Sequence, residues 1–118
     1  MALTVYGLKN CDTCRKALKD MVDAGVVHRF VDIREDADRV RKVPAWIDAV
    51  GPQALINTRS TTWRNLSGED RSIAEEDPAG LLIAHPTLIK RPIVEFGDKV
   101  TVGWTPAVKR SVIEGMAG

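Results

Sequence analysis

Asn10-Cys11-Asp12-Thr13-Cys14-Arg15-Lys16 is the stretch on which the reading of this chain turns. It holds both cysteines of the 118-residue sequence, with two residues between them. Ahead of it, Leu3-Thr4-Val5-Tyr6 is a short apolar, β-branched and aromatic run bounded by Gly7, which reads as a buried central strand. Behind it, Cys14, Leu18, Met21 and Gly25 fall on one helical stripe. A helix is therefore expected from about residue 12 to 24, stopping at Gly25, with Asn10, Asp12 or Thr13 as its cap. Residues 26–33 read as a second strand with Phe30 and Ile33 inside. This β-α-β order implies a parallel pair joined by a right-handed crossover.

A sulfur at the start of a helix is a chemical statement. The first backbone N–H groups of a helix lack an internal partner, and the dipole is positive there. Both favour the thiolate, which is the attacking species. Lys9, Arg15 and Lys16 add positive charge nearby. Cys11 is therefore the candidate nucleophile, and a C-x-x-C between strand and helix reads as a thioredoxin-like redox motif. Cys14 has two readings: a second reacting sulfur, or a small residue of the core stripe. A structural disulfide across so short a loop would restrict the unfolded chain very little. His28 and His85, the only histidines, stand at no zinc-ligand spacing from the cysteines, so no metal is expected. His28 reads as a surface residue, and His85 as a cation tolerated near a helix end.

The bulk numbers set limits. At 118 residues, 44% hydrophobic and 28% charged, the chain suits one domain with one adequate core. A formal net charge of +1 gives no electrostatic case for nucleic acid or a membrane surface. No apolar run is long enough to span a bilayer, and residues 1–6 lack the basic start and apolar core of a signal peptide. The expectation is a cytoplasmic protein, where a cysteine pair is more often catalytic or regulatory than structural.

Residues 34–42 read as a solvated connection of mixed charge. Pro44 fits the first turn of a helix carrying Trp46, Ile47 and Val50 to Gly51-Pro52. Residues 57–62 form a polar loop supplying helix caps. A helical turn at 63–66 and a short helix at 70–76 follow. Asp77-Pro78 opens a helix through Leu81, Leu82 and Ile83 that ends by Pro86. Residues 92–96 and 99–103 around Gly97-Asp98 give a hairpin. Thr105-Pro106 then caps a last helix through Val108, Val112 and Ile113, fraying at Gly115. The expected fold class is α/β with a thioredoxin-like order: β-α-β, then a β-hairpin and a C-terminal helix. The expected organisation is a single domain, 1–118, with a helical subdomain inserted at about 36–89.

Tyr6-Gly7 with Asn10-Cys11, then Asn57-Thr58-Arg59, then Lys90-Arg91-Pro92-Ile93, taken together in this order, resemble the arsenate-reductase-like (ArsC) family of thioredoxin-fold proteins. The resemblance covers nearly the whole chain. Residues 7–13 and 57–64 are most similar to its YffB branch, described as glutathione-linked thiol reductases. The C-x-x-C is similar to that of the redox regulator Spx. The resemblance implies that Cys11 is the nucleophile, that Arg59 and Arg91 surround the anion and the reacting sulfur, and that a cis peptide bond precedes Pro92 and faces the cysteine. It also places Asn10 in the substrate-binding set. Guanidinium groups are permanently charged and fork-shaped, suited to carboxylate, phosphate or arsenate. One departure stands out: arsenate reductases carry a third arginine just after the last strand, and Val102-Gly103-Trp104-Thr105 has none. Trp104 is expected there as an apolar wall for a larger thiol partner.

The expected function is a thiol-disulfide oxidoreductase in which Cys11 attacks and Cys14 or glutathione resolves. The alternatives are an arsenate reductase and an Spx-like redox-sensing regulator that binds RNA polymerase. No tightly bound cofactor is expected. Glutathione is the candidate co-substrate, glutaredoxin or thioredoxin the candidate protein partner, and the chain is expected to be a monomer.

Overall fold

The computed structural model describes residues 3–117. The chain begins with strand β1 (Leu3–Gly7), helix α1 (Asp12–Asp23) and strand β2 (His28–Asp32). It continues through helices α2 (Arg39–Val50), α3 (Pro52–Leu55), α4 (Thr61–Asn65), α5 (Gly68–Glu76) and α6 (Pro78–Ala84), and a single 3-10 turn, Pro86–Leu88. It closes with strands β3 (Ile93–Phe96) and β4 (Lys99–Val102) and helix α7 (Pro106–Ala117). Two compact units result: residues up to Ala37 with those from Arg91 on, here the sheet unit, and Asp38–Lys90, here the helical unit.

In the sheet unit the strand order is β2-β1-β3-β4. β1 pairs in parallel with β2, from Leu3 opposite His28 to Gly7 opposite Asp32. It pairs antiparallel with β3, Tyr6 opposite Ile93 and Thr4 opposite Glu95. This is the thioredoxin-like arrangement: a β-α-β unit, an antiparallel hairpin and a closing helix. β2 starts at His28 rather than residue 26. The Val26 N–H bonds back to the Met21 carbonyl at 2.9 Å, and Gly25 turns the chain with φ +70°, so the first two residues close the helix instead of joining the sheet. The hairpin turns on Gly97, whose φ of +60° an L side chain rarely adopts.

Leu3, Val5, Ala17, Met21, Val94, Phe96, Trp104 and Val112 form the sheet unit's core. Trp104 belongs to it, which corrects the expectation of an apolar wall. Only 8% of it is exposed, and its indole N–H donates to Asp20 Oδ2 of α1 at 2.8 Å. Lys109 of α7 reaches the same oxygen at 3.6 Å. The Trp104 hydrogen bond holds the Asp20 carboxyl below the usual carboxylate range against partial desolvation, with Lys109 and Lys16 adding their charge. A buried indole needs an acceptor, and α1 supplies it. α7 also runs past Gly115, where fraying was expected. A Cβ there would come within 2.9 Å of the Phe96 ring, so the glycine lets helix and ring approach.

In the helical unit, helix α2 starts earlier than its sequence suggests. Asp38 accepts from the Arg41 N–H and caps α2, so part of the expected charged connection is helix. Pro44 consequently sits inside α2, not in its first turn. It cannot donate to the Val40 carbonyl. The neighbouring Val43 and Trp46, both wholly buried, carry the helix through. Ser60 caps α4, Ser67 caps α5 and Asp77 caps α6, each accepting a backbone N–H from the first turn. Arg71 closes the other end of α4, donating to the Trp63 and Arg64 carbonyls at 3.3 and 3.1 Å with its guanidinium over the Trp63 ring. Ile56 and Ile89 form a short antiparallel bridge flanked by Asn57 N–H to Leu88 O and Lys90 N–H to Leu55 O.

Candidate active site

The N-cap of α1 is Cys11, with extended backbone angles of φ −97° and ψ 122°. Asn10, Asp12 and Thr13 were the expected caps, and none of them takes that position. The Cys11 N–H donates to the Leu8 carbonyl at 3.2 Å, and its carbonyl takes the first helical bond, from Arg15 N–H at 2.9 Å. The turn out of β1 therefore delivers Cys11 to the cap with its geometry fixed by backbone bonds. An N-cap side chain aims at the N–H groups two and three residues on. Here the third residue on is Cys14.

Both cysteines are free; Cys11 is partly exposed and Cys14 wholly buried. Their acidities diverge. Partial burial by itself raises the Cys11 pKa, but the Cys14 backbone N–H, the Cys14 thiol and the Arg91 guanidinium outweigh it, and the net effect is a pKa below the ordinary 9.0. The Cys11 side chain closes no capping hydrogen bond. The charge on the thiolate is what these donors favour. Cys14 goes the other way. Burial pushes it up to about 12, the charge on Cys11 adds to the rise, and the Leu8 backbone N–H and Arg91 oppose it. The two sulfurs, one helical turn apart, are shifted in opposite directions, Cys11 towards the thiolate and Cys14 towards the thiol.

Arg91 reaches this site through sheet topology. β3 is antiparallel to β1, with Ile93 opposite Tyr6, so the entry to β3 lies beside the exit of β1. The Arg91–Pro92 peptide bond is cis, and the Pro92 carbonyl accepts from the Gly103 N–H at 2.9 Å. The structure thus brings Cys11, Cys14 and Arg91 into one electrostatic cluster, with Pro92 next in the chain and Asn10 exposed in the turn before Cys11. Arg59 belongs to the helical unit. It lies in the loop before α4, its N–H bonded to Asn57 Oδ1 at 3.1 Å, and it lines a cavity of about 380 Å³ with Gln53, Ile56, Asn57, Thr58 and Lys90.

Two residues of the site have no role assigned in the sequence reading. Gly7 stands there as the end of a strand and as part of the family resemblance. In the structure a Cβ at Gly7 would lie 2.5 Å from the Cys14 sulfur, so this glycine makes the room the second sulfur occupies. Leu8 contributes through its backbone N–H to Cys14. A glycine at a strand end one turn ahead of a helical cysteine is the available hint. Among the described residues, no three His, Cys, Asp or Glu side chains are placed to hold a metal ion, and no helix is long and apolar enough to cross a membrane.

A partly exposed cysteine of lowered pKa, beside a buried thiol and a fixed cation, is equipped for nucleophilic attack on sulfur or on an oxyanion. The comparisons with known proteins agree with that chemistry. The model of the ArsC family matches residues 6–112. An uncharacterized protein of Haemophilus influenzae is 40% identical over 103 residues, covering 86% of this chain and 90% of its own length. The arsenate reductase of Rhizobium meliloti is 28% identical over 80% of this chain and 69% of its own. The global transcriptional regulator Spx of Bacillus subtilis is 26% identical over 86% of this chain and 79% of its own. The solved structure of a YffB protein superposes with a TM-score of 0.85 at 30% identity, covering 94% of this chain and 98% of that one.

Proposed function

Because the chain belongs to the ArsC family, with a free cysteine at a helix start, we propose that it is a glutathione-linked thiol-disulfide reductase with Cys11 as its nucleophile. The observation that carries the reading is the placing of Cys11 at the N-cap of α1, where the Cys14 N–H and thiol and the Arg91 guanidinium lower its pKa. The Cys11 thiolate attacks one sulfur of a disulfide, or of a mixed disulfide with glutathione. A Cys11–S–S–R bond forms, the substrate S–S bond breaks, and the other half leaves as a thiolate that takes up a proton. Either Cys14 attacks the Cys11 sulfur, forming the Cys11–Cys14 disulfide and releasing the bound half as a thiolate, or a glutathione thiolate attacks the outer sulfur of a Cys11–glutathione mixed disulfide and releases the Cys11 thiolate. The product is a Cys11–Cys14 disulfide or oxidised glutathione. In the first case two electrons from glutathione, glutaredoxin or thioredoxin restore the pair.

The buried pair suits this order of events. While Cys11 is ionised its charge keeps Cys14 protonated, and the Cys14 thiol stabilises that charge. Once Cys11 is bonded to substrate the charge is gone and one cause of the high Cys14 pKa disappears. Arg91 is assigned to the anionic part of the substrate, with Asn10 next to Cys11 and Pro92 next to Arg91 in the chain.

The test is mass spectrometry after exposure to glutathione disulfide. The expected result is a stable glutathione adduct on Cys11 in Cys14→Ala, a transient one in the wild type, and none in Cys11→Ser. An adduct carried by Cys14, or alkylation of Cys11 no faster than of a free thiol in solution, overturns the proposal. Two other readings draw on named relatives. The arsenate reductase relative supports uptake of arsenate by the same thiolate. The absence of an arginine in residues 102–105 counts against a doubly charged oxyanion. Arsenate turnover with glutathione and glutaredoxin faster than disulfide turnover, and lost in Cys11→Ser, reverses that order. The Spx relative supports a regulator that binds RNA polymerase. Redox-dependent capture of the polymerase α subunit without reductase activity selects that reading.

A further inference from the structure

We infer that the outer edge of β2 is the interface of a weak homodimer, in which two copies of His28–Asp32 pair antiparallel about a two-fold axis through Phe30. The inference stands apart from the reductase reading and does not depend on it.

β2 lies at one end of the sheet, with β1 as its only neighbour there. The hydrogen bonds at its two ends fix which backbone groups face outward. Leu3 N–H donates to the Val27 carbonyl at 3.3 Å, and Ile33 N–H to the Gly7 carbonyl at 2.9 Å. The register runs unbroken from Leu3 opposite His28 to Gly7 opposite Asp32. Backbone groups of successive strand residues point to opposite edges, so Arg29 and Val31 face β1 together with Val27 and Ile33. His28, Phe30 and Asp32 therefore turn their N–H and C=O groups away from the sheet. The Asp32 carbonyl is taken by the Asp36 and Ala37 N–H groups at 2.9 and 3.0 Å. The other outward groups have no partner among the described residues, and the strand is partly exposed along its length.

Such an edge is a template for another strand. The order of the side chains selects a second copy of the same strand. Read antiparallel about Phe30, His28-Arg29-Phe30-Val31-Asp32 sets each His28 opposite the Asp32 of the other copy. Opposite charges directly across an antiparallel pair attract, and the two-fold axis makes that pair twice. Phe30 meets its own counterpart, with which it exchanges both backbone bonds and an aromatic contact. Each Asp32 N–H finds the His28 carbonyl of the other copy. Both polar side chains are already held. His28 Nδ1–H donates to the Val26 carbonyl at 2.9 Å, and Asp32 Oδ1 accepts from the Arg34 and Glu35 N–H groups at 2.8 and 3.0 Å. Nε2 and Oδ2 are left for the second copy. The opposite edge lacks this symmetry, because β4 carries one lysine and no acid. A net charge of +1 puts little repulsion between copies. A five-residue ladder is small beside a standard interface, which places the dimer in the weak, concentration-dependent class.

The experiment follows the full chain by analytical ultracentrifugation and amide NMR from about 20 µM to 1 mM, the range that resolves a weak dimer. A monomer–dimer equilibrium is expected. The amide-proton signals of Phe30 and Asp32 should move with concentration, and those of Arg29 and Val31, already bonded to β1, should move less. His28→Lys, whose charge is permanent at neutral pH, is expected to tighten the dimer about three- to tenfold, and His28→Asp to loosen it by a similar factor. A merely structural role for His28 would give no gain in His28→Lys, so that variant decides the matter even if His28→Asp fails to fold. A monomer throughout the range overturns the inference. So does a dimer indifferent to His28→Lys, which would use another surface. Growth beyond the dimer overturns it as well, because two-fold pairing closes on itself.

Discussion

The capped helices of the helical unit and helix α1 of the sheet unit begin differently. In the helical unit α2, α4, α5 and α6 each start on a side-chain oxygen, from Asp38, Ser60, Ser67 and Asp77, that accepts a first-turn N–H. In the sheet unit α7 does the same with Thr105, whose Oγ1 accepts from Val108 at 3.2 Å. α1 starts on Cys11, whose side chain closes no such bond. A capped helix has spent its N-terminal donors on stability. An uncapped one keeps them for a charge that appears only when the thiol ionises. The short α3, begun by Gly51, also lacks a side-chain cap, but α1 is the twelve-residue helix that starts without one, and the site is built at that start.

Cys11→Ser breaks this comparison most directly, because it gives α1 the oxygen the others have. Disulfide turnover is expected to fall about a thousandfold or more, since a hydroxyl at that position is not ionised. Stability is expected to rise by about 1 kcal/mol, the usual worth of an N-cap oxygen. That gain reads as a thermal midpoint higher by about 3–5 °C for a domain of this size. A variant both inactive and less stable would mean that the cap geometry, not the missing cap, is what the cysteine provides.

Gly7→Ala comes next. Its new Cβ would stand 2.5 Å from the Cys14 sulfur and 3.6 Å from the Phe30 ring. Overpacking of this kind costs about 1–3 kcal/mol in denaturant unfolding. Cys14→Ala removes the sulfur, so the double variant should recover most of the loss, a coupling that a double-mutant cycle reads directly. Additive losses would place the strain elsewhere.

These positions also mark how far the sequence is legible. β1, the Gly97-Asp98 hairpin and α6 follow from local patterns: a β-branched run, a glycine turn, and Asp-Pro at a helix start. The insertion of Pro44 into α2 does not, because a cap six residues upstream decides where that helix begins. Nor does the fate of Trp104, which depends on an Asp20 acceptor 84 positions earlier in the chain. At the site, the cysteine pair and its place between strand and helix are visible by spacing alone. Arg91 by itself is an ordinary surface arginine; only antiparallel pairing of β3 with β1 brings it to the sulfur. Gly7 is invisible for a similar reason, since its value is a distance to a side chain on another element.

Arg91→Gln sharpens the electrostatic half of the comparison. Cys11 alkylation by iodoacetamide should rise with pH through a midpoint below 9.0, and the substitution should move that midpoint upward. At pH 7 the rate is expected to drop about threefold or more. The sign for stability follows. A lowered pKa favours the folded state at and above the ordinary thiol value, and that benefit is lost as pH falls through the folded pKa. Cys14 acts oppositely. Its pKa of about 12 means that stability falls as pH rises from about 9 towards 12, and Cys14→Ala should flatten that alkaline decline. An unchanged alkylation midpoint in Arg91→Gln would remove the guanidinium from the account of the thiolate.

The smallest effect belongs to the ordinary caps. Ser67 Oγ accepts the Asp70 N–H at 3.1 Å, and Ser67→Ala leaves that donor to water. Because the end of α5 is exposed, solvent replaces the lost bond in part, and the cost is expected near the middle of the usual range, about 1 kcal/mol. The same chemical change is thus made twice in opposite directions: an oxygen cap removed at α5 and one introduced at α1 by Cys11→Ser. If an uncapped start is what distinguishes α1, the two stability changes should be similar in size and opposite in sign when measured by urea unfolding under one buffer. A loss at α5 without a matching gain at α1 would show that the first turn of α1 is already satisfied by water or by the turn from Leu8, and that Cys11 withholds nothing.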